Sequence, residues 1–363
     1  MTDPDASPDP MPAGAAPAAR AHFRRWQVGG AVACGLAYGL AMRWAMGADA
    51  TPFGAFGEVM SVAFIYGVPV GVGFVTVYLV PGPPPGWARA LGTPMLSMGL
   101  VLAAAFALFW EGLICIVVWL PLALVLSAFG GAVASVVRRA LGVSRPLAVA
   151  VAAALPLVLA PVEARMPAIP QTHVVEDAVV IRASAADVWR EIESVPAIAP
   201  AELGGSFAHA IGFPRPIAAE LEGTGVGSVR HARFEGGGVF REVVTEWDEG
   251  RALAFTIDPG AVPPETFDQH VAVGGPYFDV LDGRYVIEPL PAGATGPEAG
   301  ARRVRLRLAS THRLSTTFNG YTRLWTDLFM RDIQQAILDV IRRRAERSSR
   351  AALRAASPPS PAP

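Results

Sequence analysis

The chain changes character near residue 165. Before that point long apolar runs are broken by few charges, and after it short alternating segments and one amphipathic stripe take over. A helix that crosses a bilayer needs ~20 mostly apolar residues. The runs 26–46, 57–80 and 146–162 each supply a candidate, the last being somewhat short. The apolar stretch from Pro94 to Val137 is too long for one crossing, because as a single helix it would reach ~66 Å, about twice the hydrocarbon thickness. It has to fold back, and Trp110-Glu111-Gly112 is the natural turn, which predicts spans at 93–109 and 113–137. The expected architecture is therefore an N-terminal all-α transmembrane bundle of about five spans. A competing reading makes Pro94–Val137 one span plus a re-entrant piece.

The second half reads differently. His173–Ala183 alternates and is rich in valine and isoleucine, as a strand does. Ser184-Ala-Ala-Asp187 is a capping-box start for a helix to about Ser194, with Val188, Trp189 and Ile192 on one face. Pro196–Pro216 is rich in Pro, Gly and Ala and is expected to hold at most a short helix. Strands are expected near 227–234, 239–247, 252–258, 277–289 and 302–314, with glycine turns between them. A long helix over 317–344 closes the chain. Its apolar stripe runs through Tyr321, Leu324, Trp325, Leu328, Phe329, Ile333, Ile337, Val340 and Ile341. This order predicts an α+β helix-grip domain over 172–347, a curved antiparallel sheet around a long C-terminal helix with a cavity between them. Residues 1–25 and 348–363 are expected to be unstructured. Residues 164–171 form a linker short enough, at ~30 Å extended, to keep the domain near a bilayer.

Composition sharpens the division. Of 363 residues, 52% are hydrophobic and only 17% are charged, against about 25% charged in soluble proteins. Net charge is −1, which gives no electrostatic footprint for nucleic acid. Both cysteines, Cys34 and Cys115, lie in apolar runs, so a disulfide framework or a cysteine-held metal is not expected in the second half. Lysine and arginine set the orientation. Arg20, Arg24, Arg25, Arg89, Arg138, Arg139 and Arg145 fall on one side of a five-span bundle, while the loop 47–56 and the turn at Glu111 carry no lysine or arginine. The N-terminus is then cytoplasmic and the C-terminal domain extracytoplasmic, periplasmic if the membrane is the inner membrane of a Gram-negative bacterium. Under the re-entrant reading the domain is cytoplasmic instead.

Several stretches of the second half are similar to one known superfamily. They are Ala178-Val-Val-Ile-Arg-Ala-Ser-Ala-Ala-Asp-Val-Trp189, Gly225-Val-Gly-Ser-Val-Arg230, Phe240-Arg-Glu242 through Trp247, Gly283-Arg-Tyr285, Ser310-Thr-His-Arg313, and Asn319-Gly-Tyr321 with Trp325 and Asp327. In these it resembles the START/Bet v 1-like (SRPBCC) superfamily, close to its polyketide cyclase/dehydrase and lipid-transport branch. The resemblance implies a helix-grip fold with a ligand cavity. It implies no activity by itself, because that fold hosts binders, carriers and enzymes.

The candidate cavity residues are Arg230, Glu242, Tyr285, Arg313, Tyr321, Trp325 and Asp327, with Glu111 a polar candidate at membrane depth. Each has a plain structural alternative: a strand-pair contact for Arg230 and Glu242, core packing for the aromatics, an ion pair with Arg313 or Arg323 for Asp327, and a solvated turn for Glu111. The histidines show no metal-ligand spacing, no nucleophile elbow is present, and the glycines of 223–227 precede a strand rather than a helix. No cofactor and no metal is expected. The leading functional expectation is membrane-anchored binding of a hydrophobic small molecule or lipid, for carriage or sensing, with the bilayer and that ligand as partners. The alternatives are a cyclase/dehydratase-like enzyme drawing on His231, His270, Glu242, Tyr285 or Asp327, and a membrane sensor or structural subunit.

Overall fold

The computed structural model describes residues 17–47, 59–140, 144–166, 168–260, 269–291 and 302–356. Loop residues 48–56, which bear on orientation, and the extreme ends of the chain lie outside these residues. The chain divides into two compact units, Met1–Trp110 with Trp119–Met166, and Glu111–Val118 with Pro167–Pro363.

The first unit is built from helices α1 (Pro17–Gly47), α2 (Val68–Tyr78, led in by a π-helical turn Ala63–Gly67), α3 (Trp87–Ala107), the part of α4 (Leu113–Ala140) from Trp119 on, and α5 (Arg145–Glu163). Helices occupy all five predicted span positions, but α1 begins at Pro17, inside the stretch expected to be unstructured. Three of them, α3, α4 and α5, are long and apolar enough to cross a membrane. The helical run Ala63–Tyr78 is shorter, at ~24 Å less than a hydrocarbon core. The predicted fold-back is present. Helix α3 ends at Ala107, Phe109 takes a left-handed backbone conformation with φ 56°, and α4 starts at Leu113. Glu111 sits in this turn and is buried rather than solvated. The outward faces are apolar, as Val125, Phe129, Leu147, Val151, Leu155 and Val158 are exposed, which is the inverse of a water-soluble bundle.

Polar groups in this unit serve helix ends and helix contacts. Pro69 has no N–H for the carbonyl of Ile65, one turn earlier, and the Trp119 indole donates to that carbonyl instead, at 3.0 Å. The Glu163 carboxylate accepts from the N–H groups of Val62 and Ala63 at 2.6 and 2.8 Å. At the opposite end of α2, Arg138 donates to the carbonyls of Val77 and Gly82 at 2.8 and 2.6 Å. Both ends of this helical segment thus meet the charge its dipole favours. Buried Thr76 donates to Ser97 at 3.0 Å, and Ser97 donates to the Val32 carbonyl at 3.4 Å, which ties α2, α3 and α1 together.

The second unit holds a seven-stranded antiparallel sheet in the order β1-β7-β6-β5-β4-β3-β2. Its strands are β1 (Gln171–Ile181), β2 (Pro216–Glu222), β3 (Val229–Phe234), β4 (Val239–Asp248), β5 (Ala252–Asp258), β6 (Phe278–Leu290) and β7 (Arg303–Leu314). Helices α6 (Ala185–Glu193) and α7 (Phe207–Ala210) follow β1, and α8 (Asn319–Ala356) closes the chain. This is the helix-grip arrangement expected. The capping box at Ser184 forms, with Asp187 N–H donating to the serine hydroxyl at 3.2 Å. One strand, β2, is not among those the pattern predicts. It opens on proline and carries two alanines, so its intrinsic β signal is weak, and it is held as an edge by pairing with β3. Helix α8 also runs on to Ala356, into the stretch expected to be unstructured. Its last turns are rich in alanine and arginine, good helix formers, with Glu346 and Arg350 4.0 Å apart one turn on.

The core lies between the sheet and the C-terminal part of α8. Ile181, Trp189, Leu253, Ile287, Leu306, Leu338, Ile341 and Ala345 are buried there together, with Trp189 edge-on to Trp247 at 5.1 Å. The end of α8 is fastened by charge. Arg344 and Arg347 both grip Glu202, and hydrogen bonds from Arg344 hold its carboxyl down from 4.5 to about 2. A carboxylate depressed in the folded state adds stability above its unfolded pKa and loses it as pH falls through the folded value. The domain should therefore weaken between about pH 4.5 and pH 2, and Glu202→Gln should flatten that slope. Solvent reaches this network, so the neutral-pH loss for Glu202→Gln should be only on the order of 1 kcal/mol. Thermal melts of the two proteins across this pH range would check it.

Candidate functional site

The sheet register places the polar inward-facing side chains. Arg230 pairs with Glu242 across β3 and β4, and Glu242 pairs with Ile257 on β5. At the other end of the same transverse row, His173 on β1 is opposite His312 on β7. Two polar groups thus lie on one row, with apolar Ile257 between them. Three strand spacings separate β7 from β4, about 14 Å along the sheet.

The first group is a buried ion pair. Arg230 Nε and Glu242 Oε2 are 3.2 Å apart, with side chains only 8% and 7% exposed. The two atoms are close enough to pair as ions but misaligned for a hydrogen bond, so Arg230 Nε and Nη1 and Glu242 Oε2 have no hydrogen-bond partner. The Arg230 guanidinium lies over the Phe255 ring, 5.0 Å from its centre. Gly283 lets that ring lie flat on the sheet, since a Cβ there would come within 2.8 Å of it. Tyr285 is buried beside the pair. Burial pushes its phenol up, opposed by the charge of Arg230 and by a hydrogen bond with it, so Tyr285 stays a neutral hydroxyl. Burial likewise pushes Glu242 up against the pull of Arg230. Three predicted residues, Arg230, Glu242 and Tyr285, therefore come together in an otherwise apolar surface.

The remaining predicted residues sit elsewhere. Arg313 neighbours inward-facing His312 on β7 and so points to the opposite face, where it lies 3.6 Å from Asp279 and donates to Ser315 at 2.9 Å. Tyr321 and Trp325 are half-buried near the start of α8, and Trp325 packs 5.8 Å from Phe329, which meets Phe213 at 5.0 Å. That is an aromatic core rather than an extension of the Arg230 group. Asp327 pairs with Arg323 at 3.4 Å, one of the two alternatives expected, and also approaches His312 at 3.9 Å. His231 lies 3.8 Å from Glu222 at the sheet edge, and His270 stands near Tyr277. Neither meets Glu242 or Tyr285 among the described contacts.

Sequence reasoning passes over the second group. His312 is 0% exposed, its Nε2 lies 3.2 Å from the Thr326 hydroxyl, and its ring is 5.7 Å from that of His173. Burial pushes the His312 imidazole down, with Asp327 opposing. Gln334 on α8 donates to Ser310 at 3.0 Å and to the Val175 carbonyl at 3.2 Å. The signals in the sequence are the i, i+2 spacing of Ser310 and His312 on one strand and the Ser310-Thr-His-Arg313 stretch that contains them. Nothing local connects them to Gln334. Among the described residues no group of three or more His, Cys, Asp or Glu is placed to hold a metal ion.

No protein-family model and no curated protein matches the chain. Solved structures similar to it include norcoclaurine synthase from Thalictrum flavum, at 17% identity over 52% of this chain and 91% of that one, with a TM-score of 0.30. The Zhui aromatase/cyclase from Streptomyces sp. R1128 is 20% identical over 50% of this chain and 98% of that one, also with a TM-score of 0.30. A putative uncharacterized protein from Rhizobium leguminosarum is 13% identical over 49% of this chain and 99% of that one, with a TM-score of 0.27. At these values the likenesses carry no activity to this chain. The helix-grip arrangement stands on the strand order and the closing helix.

Proposed function

We propose that this protein is a membrane-anchored binder of an amphipathic small molecule or lipid, held by the helix-grip domain against the inner face of its sheet. One observation carries the reading. Arg230 and Glu242 are buried with hydrogen-bonding capacity unused, beside buried Tyr285 and among Phe255, Ile257 and aliphatic side chains. A buried ion pair seldom stabilises a fold more than apolar side chains of the same size would. Its retention, with polar atoms unsatisfied, fits a place where a ligand's polar group completes the bonding. The apolar cluster around Leu306 and Leu338 extends to Phe255 and Tyr285, with Ile257 packed against it, so the ligand is placed at the border of that cluster, toward Arg230 and His312.

The membrane part of the proposal is a five-span bundle with a cytoplasmic N-terminus and an extracytoplasmic domain in a bacterial inner membrane. It is supported by the clustering of Arg138, Arg139 and Trp87 at one end of the bundle, where Arg139 lies 4.9 Å over the Trp87 ring. At the far end Arg43 donates to the Trp110 carbonyl at 2.7 Å and Glu163 caps the α2 segment.

The test is to purify the full chain in detergent, extract it with solvent and identify what comes off by mass spectrometry. The expected result is one reproducible amphipathic species near 1:1, lost from the Arg230→Met/Glu242→Leu double variant. An extract containing only bulk phospholipid, the same in both proteins, would overturn the proposal.

A further inference from the structure

The group under the first half of α8 has a defined hydrogen-bonding sense. Gln334 Nε2 faces the Val175 carbonyl, which can only accept, so that atom is the nitrogen and the unpartnered one is Oε1. Nε2 of His312 faces the Thr326 hydroxyl and, at 3.9 Å, Asp327 Oδ1. A carboxylate there favours the tautomer with its proton on Nε2, which leaves Nδ1 a lone pair. That Nδ1 is buried and has no partner. Ser310, which receives the Gln334 bond, and His312 are successive inward positions of β7, ~7 Å apart. Asp327 Oδ1 also lacks a hydrogen-bond partner. Three unpartnered acceptors thus lie on α8 and β7, two of them on side chains nine-tenths or more buried.

Unsatisfied buried acceptors call for a donor. We infer that His312 and Gln334 form a second polar anchor of the ligand site, and that it receives a hydroxyl or amine carried by the ligand. This inference rests on the ligand-binding reading above and adds to it the chemistry of one end of the ligand. Glu242, with Arg230 beyond it, lies three strand spacings from His312, about 14 Å along the sheet, so the ligand's apolar body spans Ile257 between two polar contacts. Among the described residues the outer face of the sheet offers no group of comparable burial. The depression there is lined by Glu176, Arg284, Glu288 and Arg307, and its charges already pair with one another or with Glu246.

The probes are 2-naphthol, which carries a donor, and 2-methoxynaphthalene, which has nearly the same body and none. Binding of each to the full-length protein in detergent is followed by calorimetry, and the His312 ring nitrogens by ¹⁵N NMR. The expected result is roughly 10-fold tighter binding of the naphthol, as losing a donor to a buried acceptor predicts, together with a shift of the His312 Nδ1 resonance on titration. Gln334→Met should cut the preference to under about 3-fold while the methoxy compound binds as before. If both probes bind equally and Nδ1 does not move, the anchor is filled by water or by the protein and the inference is wrong, although the ligand reading survives. If neither probe binds, the ligand reading fails and the inference falls with it. The NMR arm needs no variant, so misfolding of a substituted protein leaves the test intact.

Discussion

Glu242→Ala should destabilise the C-terminal domain by roughly 3–5 kcal/mol, the cost of leaving a buried guanidinium without its counter-charge. The size follows from burial. Arg230 and Glu242 have almost no access to water, so Arg230 cannot recover its hydration when the carboxylate is removed. The exposed pair Arg284–Glu246, at 2.6 Å, has better geometry, with two hydrogen bonds, but its side chains are 49% and 39% exposed. Glu246→Ala should therefore cost under about 1 kcal/mol. The double variant Arg230→Met/Glu242→Leu removes both charges together and should be close to the parent in stability, or above it. Chemical denaturation of the full chain, with the domain followed through Trp189 and Trp247 fluorescence, measures all three against the parent. Equal losses for Glu242→Ala and Glu246→Ala would mean that the interior pair is solvated, and the site as described would be wrong. A stable double variant that no longer carries ligand would separate function from folding at this pair.

What the sequence discloses follows from the range over which each signal acts. The capping box at Ser184, the stripe of α8 and the fold-back at Trp110-Glu111-Gly112 are local patterns, and each is legible in the chain alone. Arg230 with Glu242 is legible for a related reason: a glycine hairpin turn joins their strands, so the register follows from the turn. The pairing of β1 with β7 joins residues far apart in the chain, and it puts His173 opposite His312. No local pattern announces that contact, and Gln334 enters only when α8 is laid across those two strands. Arg313 departs from expectation because one residue along a strand reverses the face. Its neighbour His312 holds the inward position, and nothing in the local pattern decides which of the two faces the grip. Edge strand β2 escapes the pattern because tertiary pairing overrides its weak propensity. The end of α8 lies beyond its expected limit because alanine and arginine sustain a helix without an apolar stripe to announce it.

In the helical unit the largest effects should come from the smallest residues. Gly130 of α4 faces the backbone of α2, and a Cβ added there would lie 2.0 Å from the Val70 carbonyl oxygen. Gly73 of α2 meets α4 reciprocally, with a Cβ 1.8 Å from the Ser127 carbonyl oxygen. The obstacles are backbone atoms of another helix, so no side-chain rotation relieves them and the helices must separate. Between helices packed in lipid, which supplies no hydrophobic drive, close backbone approach through small residues is a main source of affinity. Along α4 the small residues Ser127, Gly131 and Ser135 repeat at four-residue spacing, as that mode of packing requires. Gly130→Ala and Gly73→Ala should each lower stability by roughly 2–4 kcal/mol through overpacking and lost contact. Gly99 of α3 is the control, because a Cβ there would meet nothing within 4 Å. Gly99→Ala should leave stability unchanged or raise it by up to about 1 kcal/mol through helix propensity alone. Thermal unfolding of the full chain in one detergent compares the three, and the contrast is the test. If Gly130→Ala melts with Gly99→Ala, α2 and α4 do not meet backbone to backbone, and the bundle is held by something other than its glycines.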